Sequence, residues 1–171
     1  EDERKKGTYI DTILIAQTTL QDSTVYRVSF FGMDPAGNES NLVINDRVTF
    51  DTSRPVLTII APGNNHYTPS TNINYSASEE LLSAKIIYVG TSAEQKRLTT
   101  EVTISPEGLT AGVHNSDDYA QADLRDSATY MIGFEAQDLA GNFANPVGLY
   151  NFHVDRTLPV FSDISPQSNT Y

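Results

Sequence analysis

The sequence predicts an all-β protein built from β-sandwich units in tandem, and three observations support this expectation. The chain matches itself when it is shifted by 104 residues. Short stretches of alternating apolar and polar residues recur at even spacing, whereas no window keeps apolar residues at helical spacing over three turns. A repeat of this length, about 100 residues, also has the usual size of a two-sheet domain.

The internal repeat is continuous, since residues 16–67 match residues 120–171 at 20 of 52 positions without a gap. It divides the chain into three parts. Residues 1–54 correspond to the C-terminal half of one unit, residues 55–158 form a complete unit, and residues 159–171 correspond to the first strand of a third. We therefore expect the segment to belong to a longer array of repeats.

Seven strands are predicted in the complete unit, at residues 56–61, 72–78, 83–90, 97–105, 119–124, 128–137 and 147–155. Apolar residues alternate most clearly in the last two strands, namely Tyr130, Ile132, Phe134 and Ala136, then Tyr150, Phe152 and Val154. The first copy shows the same pattern at Tyr26, Val28, Phe30, Val48 and Phe50. Because strand side chains alternate with period two, we expect these residues to form inward faces that pack together as a sandwich.

The loop between the sixth and seventh strands has the composition of a turn in both copies. It reads Asp34-Pro-Ala-Gly-Asn38 and Asp138-Leu-Ala-Gly-Asn142. The aspartate side chain accepts hydrogen bonds from its own turn, and the glycines, Gly37 and Gly141, supply a positive φ. The asparagine tolerates the left-handed region. A short hairpin loop is therefore predicted in each copy.

A tyrosine follows the same spacing in both copies, in the pattern Leu-x-Asp-x-x-x-Tyr. The residues are Leu20, Asp22 and Tyr26, and then Leu124, Asp126 and Tyr130. This pattern resembles the tyrosine corner of β-sandwiches, in which the phenol oxygen bonds back to upstream backbone. The alternative is a half-buried aromatic residue within a strand.

A second motif follows the turn about 13 residues later, with the form D-x-(S/T)-x-P. It reads Asp51-Thr-Ser-Arg-Pro55 and Asp155-Arg-Thr-Leu-Pro159. Together the two motifs resemble the tandem bacterial immunoglobulin-like repeats of large surface adhesins and other cell-surface proteins, over the whole chain. The resemblance implies an immunoglobulin-like or fibronectin-III-like sandwich, an extracellular location at the bacterial cell surface, and a role as a stalk. Such repeats also serve as spacers in extracellular enzymes.

Composition excludes several classes of function. The chain contains no cysteine, so disulfides, thiol catalysis and cysteine-ligated metal centres are excluded. The net charge of −11 argues against a nucleic-acid partner, which requires clustered lysine and arginine. No apolar run approaches the length of about 18 residues that a membrane span needs, so no direct membrane span is predicted.

We do not expect an enzyme, because the parts of a catalytic site are missing. Neither His66, His114 nor His153 pairs with a serine or carboxylate at a recognisable spacing, so each is interpreted as an exposed loop or strand-face residue. No phosphate-binding loop, nucleophile elbow or HExxH motif is present. The pair Glu79-Glu80 has no partner carboxylate that the sequence identifies.

Calcium is the one specific cofactor that the sequence suggests, and no other is expected. The candidate ligands, at the junction of two repeats, are Asp51, Glu79, Glu80, Asp138 and Asn142. Calcium takes six to eight oxygen ligands, which carboxylates and amides supply. The alternative is that Asp138 and Asn142 only form the turn, and that Asp51 is a solvated strand end.

These observations favour a non-enzymatic structural segment that acts as a semi-rigid spacer in an adhesin stalk or filament. The expected partners are neighbouring repeats of the same chain, with other copies in a filament or a host or cell-surface ligand as further candidates. One alternative is a glycan- or protein-binding accessory module of a secreted enzyme, with residues 92–96 and 115–118 as candidate loops. The other is a filament subunit assembled by strand addition, because residues 1–54 hold only about three strands.

Overall fold

The computed structural model describes residues 19–91 and 98–162, in which nearly all regular structure is β-strand. The all-β prediction is confirmed. The chain divides into two compact units, unit 1 (Glu1–Ser53) and unit 2 (Arg54–Tyr171). Among the described residues there is no helix with the length and apolar character that crossing a membrane requires.

In unit 1, the described strands form one antiparallel hairpin. β1 (Thr24–Phe30) pairs with β2 (Val43–Phe50). Both strands are rich in the β-branched and aromatic residues that suit a pleated surface. The pairing shifts by one residue between Tyr26 and Val28, which marks a β-bulge.

Unit 2 contains eight described strands in two sheets. They are β3 (Leu57–Ala61), β4 (Tyr67–Thr68), β5 (Asn74–Ala77), β6 (Leu81–Gly90), β7 (Thr99–Thr103), β8 (Gly112–His114), β9 (Ala128–Asp138) and β10 (Val147–Val154). One sheet has the order β4-β10-β9-β6-β7, and the other has the order β3-β5-β8. All neighbours are antiparallel except β4 and β10, which are parallel.

The two sheets of unit 2 share one apolar core and therefore form two layers. The three-stranded sheet contributes Leu57 and Tyr75, and the five-stranded sheet contributes residues such as Tyr88, Ile132 and Phe152. Buried tyrosines need partners for their hydroxyl groups. Tyr75 donates to the carbonyl of Gly108 at 2.8 Å, and Tyr88 donates to the carbonyl of Thr71 at 3.1 Å. The buried tyrosine hydroxyls of this apolar core are therefore hydrogen-bonded.

The predicted strand at residues 119–124 is wrong. This segment has no ladder pairing beyond an isolated bridge between Ile104 and Tyr119, and β8 takes the place beside β5. Its apolar side chains are nevertheless buried, at Tyr119, Ala122 and Leu124. The burial pattern therefore imitates a strand where the backbone is irregular. The short strand β4 and the 3-10 turns Pro106–Leu109 and Ser116–Asp118 were not predicted.

The predicted inward face of the last strand is wrong at Tyr150. The pairing of β10 with β9 shifts between Leu149 and Phe152, and Asn151 has a φ of 56°. This bulge breaks the alternation, so that Leu149 and Phe152 are both buried while Tyr150 is exposed. The predicted inward residues of β9 are all buried.

The β1–β2 and β9–β10 hairpins have the same register. β2 and β10 begin and end 104 positions apart, and the pair Tyr26↔Val48 corresponds to Tyr130↔Phe152. The two ladders are irregular at corresponding places. Positive φ values recur as well, at Ser23 (53°) and Ser127 (55°) and at Gly37 (89°) and Gly141 (97°). The repeat in the sequence is therefore also a repeat in local backbone geometry.

Candidate functional site

Each hairpin is closed by an Asp-x-Ala-Gly-Asn turn that is held by its own aspartate. In unit 2, Asp138 Oδ1 accepts hydrogen bonds from the backbone of Ala140 and Asn142, both at 2.8 Å. The Asn142 side-chain amide donates to Asp138 Oδ2 at 2.9 Å. In unit 1, Asp34 makes the corresponding bonds at 2.8 to 2.9 Å. The motif therefore encodes a turn whose aspartate uses both oxygens.

Hydrogen bonds stabilise the negative charge of the turn aspartate in both copies. Asp138 is only 1% exposed. Burial raises the pKa of Asp138, but hydrogen bonds from the side chain and backbone of Asn142 and from Ala140 outweigh it, so the pKa lies below its ordinary value. In the other hairpin, the Asn38 side chain and backbone lower the pKa of Asp34. Both turns therefore hold an ionised carboxylate at neutral pH.

Glu79 and Glu80 lie at the same end of unit 2 as the Asp138 turn. They precede β6, whose first residue, Leu81, pairs with Asp138. A carboxylate oxygen of Glu79 lies within 4.8 Å of one of Asp138, whereas Glu80 is exposed. Ser78 is bonded in both directions to the backbone of Val56. Two segments of unit 2 thus bring the Glu79 and Asp138 carboxylates close together, with the Asn142 amide bonded to Asp138.

Asp51 lies just after β2 in unit 1. Its Oδ1 accepts a hydrogen bond from the backbone of Ser53 at 2.9 Å. In unit 2, the side chains of Glu79, Asp138 and Asn142 carry hard oxygen atoms, the type of ligand that calcium prefers. The part of Asp51 in a metal site remains a prediction from the sequence.

The D-x-(S/T)-x-P motif takes part in hydrogen bonds that the sequence did not reveal. Asp126 accepts hydrogen bonds from the Arg156 backbone at 2.6 Å and from Thr157 Oγ1 at 3.1 Å. Asp155 accepts from the Thr157 backbone at 3.0 Å. The Arg156 backbone and the Thr157 hydroxyl therefore fasten the end of β10 to the segment before β9, while Asp155 holds the motif's own turn. Arg156 adds bonds to the carbonyls of Leu124 and Pro69.

The first copy contains the same fastening. Asp22 accepts hydrogen bonds from the backbone and side chain of Thr52 and from Ser53 Oγ at 2.6 Å. The Ser53 and Thr52 bonds lower the pKa of Asp22 to about 2. The backbone bond from Arg156 likewise lowers the pKa of Asp126. The recurrence of Asp22 at Asp126 was the available signal for this role.

Both tyrosines of the Leu-x-Asp-x-x-x-Tyr pattern bond to upstream backbone. Tyr130 Oη accepts from the N–H of Arg125 at 3.0 Å, and Tyr26 Oη accepts from the N–H of Gln21 at 2.6 Å. In each case the two bonded residues are five positions apart in the sequence. The phenol therefore ties the start of each hairpin to the chain that leads into it, as expected for a corner residue.

The three histidines differ in their surroundings. His114 is buried, which corrects the expectation of an exposed residue: its Nε2 lies 2.8 Å from the carbonyl of Thr110 and its Nδ1 lies 3.2 Å from Asp118. Its ring also stacks on Tyr75, so packing explains its presence. His66 is exposed, and His153 is partly buried on the outer side of β10.

The remaining predicted residues are the two prolines and the two candidate binding loops. Pro55 is fully buried at the start of unit 2, whereas Pro159 is exposed. The candidate loop at residues 115–118 forms a 3-10 turn with an Asn115 capping box. The candidate loop at residues 92–96 lies outside the described residues, as does the segment after residue 162 of the predicted third repeat.

No family model matches the chain, and no curated protein matches it in sequence.

Proposed function

We propose that this protein is a non-enzymatic structural segment of an extracellular bacterial surface protein, in which immunoglobulin-like repeats act as a semi-rigid spacer. The observation that carries the proposal is the recurrence of one set of hydrogen bonds 104 residues apart. The turn, the corner tyrosine and the aspartate fastening all recur. A repeating mechanical element requires the same hairpin, with the same hydrogen bonds, in each copy.

The local bonds support stiffness at the ends of the repeat. The fastening at Asp126 immobilises the chain that leaves β10, and Pro55 is buried where unit 2 begins. Proline fixes φ and therefore reduces the number of conformations available to a linker. Length in such an array grows with the number of repeats.

Small-angle X-ray scattering tests the spacer directly. Residues 55–158 would be joined head to tail in one, two and four copies with their natural junction, and the maximum dimension would be measured. A semi-rigid spacer predicts nearly linear growth with copy number. Growth with roughly the square root of copy number, as in a flexible chain, would overturn the proposal.

Assembly by strand addition is a second candidate, and one comparison favours it. Phe30 in unit 1 is 48% exposed, whereas its counterpart Phe134 in unit 2 is 4% exposed. Tyr26 and Val28 are also less buried than their counterparts in β9. A donated strand from another copy would cover this face. Light scattering coupled to size-exclusion chromatography would detect oligomers whose mass rises with concentration; a strictly monomeric chain at high concentration would reject it.

We also propose calcium binding that involves Glu79, Asp138 and Asn142, with Asp51 and Glu80 as further predicted ligands. The proximity of the Glu79 and Asp138 carboxylates supports it. Binding to the folded state alone would raise the melting temperature in millimolar calcium relative to excess chelator. Glu79→Gln should abolish this difference, whereas Glu107→Gln, which removes a carboxylate outside the predicted ligand set, should not. Equal melting temperatures of the unaltered chain would discard the site.

A further inference from the structure

Three side chains form a row across the outer face of the five-stranded sheet in unit 2. Thr129 on β9 pairs with His153 on β10, and His153 pairs in turn with Tyr67 on β4. Their neighbours Ala128 and Val154 point inward and are buried. Because the three residues lie directly opposite one another, the sheet itself sets their spacing.

Contacts within the row make it rigid. The rings of Tyr67 and His153 stack with centroids 4.2 Å apart and planes inclined by 16°. His153 Nδ1 is hydrogen-bonded to Thr129 Oγ1 at 2.8 Å, and the His153 backbone donates to the carbonyl of His66 at 2.8 Å. Tyr67 is nevertheless 69% exposed. One ring face therefore rests on the imidazole while the phenol remains available to solvent.

The row lines a cleft of about 380 Å³ that also includes Ser127 and Asp155. This volume is within the range of about 300–1,000 Å³ that small-ligand sites occupy. The cleft offers an aromatic ring, two hydroxyls and an exposed carboxylate. Asp155 Oδ1 accepts the bond from the Thr157 backbone, which orients the carboxylate group.

Unit 1 does not repeat this arrangement, although it repeats the hairpin. The positions that correspond to Thr129 and His153 are Val25 and Thr49, so the imidazole and its hydrogen-bonded hydroxyl are both replaced. The turn and fastening residues are kept at the same time. The difference indicates that the row is not a requirement of the hairpin fold.

We propose that this cleft binds the pyranose ring of a neutral or amino sugar. A sugar has one apolar C–H face, which would lie over the outer edges of the stacked Tyr67 and His153 rings, and hydroxyls at its rim for Ser127 and Asp155. A purely apolar ligand would shield the Asp155 carboxylate from water without offering it a hydrogen bond, which is unfavourable. An acidic sugar would meet the Asp155 carboxylate in a chain of net charge −11.

The sheet and the His153 ring hold these groups in place before a ligand arrives, so little ordering is required on binding. His153 is in this respect a positioning residue for Tyr67. The row of Tyr67, His153 and Thr129 takes no part in the fastening of the strand end, whereas Asp155 belongs to both the cleft and that motif.

Saturation-transfer NMR on the full chain tests the proposal. The probes are the trimers of N-acetylglucosamine, glucosamine and mannose, together with lactose and sialyllactose. We expect transfer to at least one uncharged or amino probe and none to sialyllactose. Tyr67→Ala should weaken binding at least tenfold, and Tyr67→Phe should retain it because the ring is kept. Asp155→Asn should weaken the glucosamine trimer most.

Tyr150→Ala is the matched control, because Tyr150 is an exposed tyrosine of β10 that does not line the cleft. It should bind every probe as the unaltered chain does. Absence of transfer to all uncharged and amino probes would overturn the proposal, as would binding that survives Tyr67→Ala or a preference for sialyllactose. The scattering experiment on joined repeats would stand in any of these cases, so the two proposals fail separately.

Discussion

Single residues in this chain act mainly as acceptors that fasten backbone. Asp138 closes a turn, Asp126 holds the strand end, and Tyr130 ties the chain that leads into the hairpin. The turn and the tyrosine corner follow from residue spacing because their partners lie within about five positions. The partners of Asp126 lie 30 or more residues away, so spacing alone could not identify them.

Removing the Tyr130 hydroxyl tests the corner bond. Tyr130→Phe keeps the buried ring but leaves the Arg125 N–H without its acceptor. We expect the free energy of unfolding to fall by about 1 kcal/mol in urea denaturation. Tyr150→Phe, in which an exposed hydroxyl is removed, should change it by less than about 0.5 kcal/mol. Equal effects of the two variants would contradict the assigned role.

The fastening aspartate predicts a dependence on pH. The pKa of Asp126 is lowered in the folded chain, first by the Arg156 backbone bond. Its contribution to stability is therefore complete above the unfolded pKa, near 3.8, and is lost as pH falls through the lower folded value. Asp126→Asn should be less stable than the unaltered chain at pH 7.

The difference in the free energy of unfolding between Asp126→Asn and the unaltered protein should shrink between pH 4 and pH 2. Urea denaturation at each pH would measure it. A constant difference would mean that the Asp126 charge has no part in the fastening.

At the scale of elements, prediction succeeded where side-chain alternation and backbone pairing coincide. β9 alternates strictly, and its predicted inward residues are buried. The prediction failed at residues 119–124, where burial occurs without a ladder, and at Tyr150, where a bulge breaks the period of two. The row of Thr129, His153 and Tyr67 was also missed. It depends on the register of three strands, and β4 has only two residues.

The turn glycine offers a test of an element. Gly141 has a φ of 97°, so Gly141→Ala should cost about 1–2 kcal/mol from backbone strain. Gly133→Ala on β9 is the control, because the added methyl group would meet nothing within 4 Å and no positive φ is required. Its effect should be within about 0.5 kcal/mol. Similar losses in the two variants, measured by urea denaturation, would contradict the strain argument.

At the scale of the whole molecule, the same hairpin exists in two packing environments. In unit 2 its inner face contributes to a core shared by two sheets. In the described part of unit 1, Phe30 and Val48 are exposed to a degree that their counterparts are not. The repeat itself is visible in the sequence, but the burial of its inner face is not, because burial depends on which other segments are folded nearby.

Truncation of the matched phenylalanines measures this difference. Phe134→Ala should destabilise the chain by about 3–5 kcal/mol through loss of buried surface and a residual cavity. Phe30→Ala should cost less than about 1 kcal/mol if its face is open in solution. Thermal and urea denaturation would be compared for both. An equally large loss at Phe30 would show that the face is covered, and would support assembly by strand addition.

The hairpin turns have a consequence for the order of folding. All bonds that close the Asp138–Asn142 turn join residues at most four positions apart, so little chain entropy is lost when they form. A hairpin of this kind closes within about 1–10 μs. Pairing of β6 with β9 spans a longer stretch of chain than the hairpin does, so we expect it to form later. Each repeat thus carries its own nucleation site near its C-terminal end, and neighbouring copies in an array would begin to fold independently.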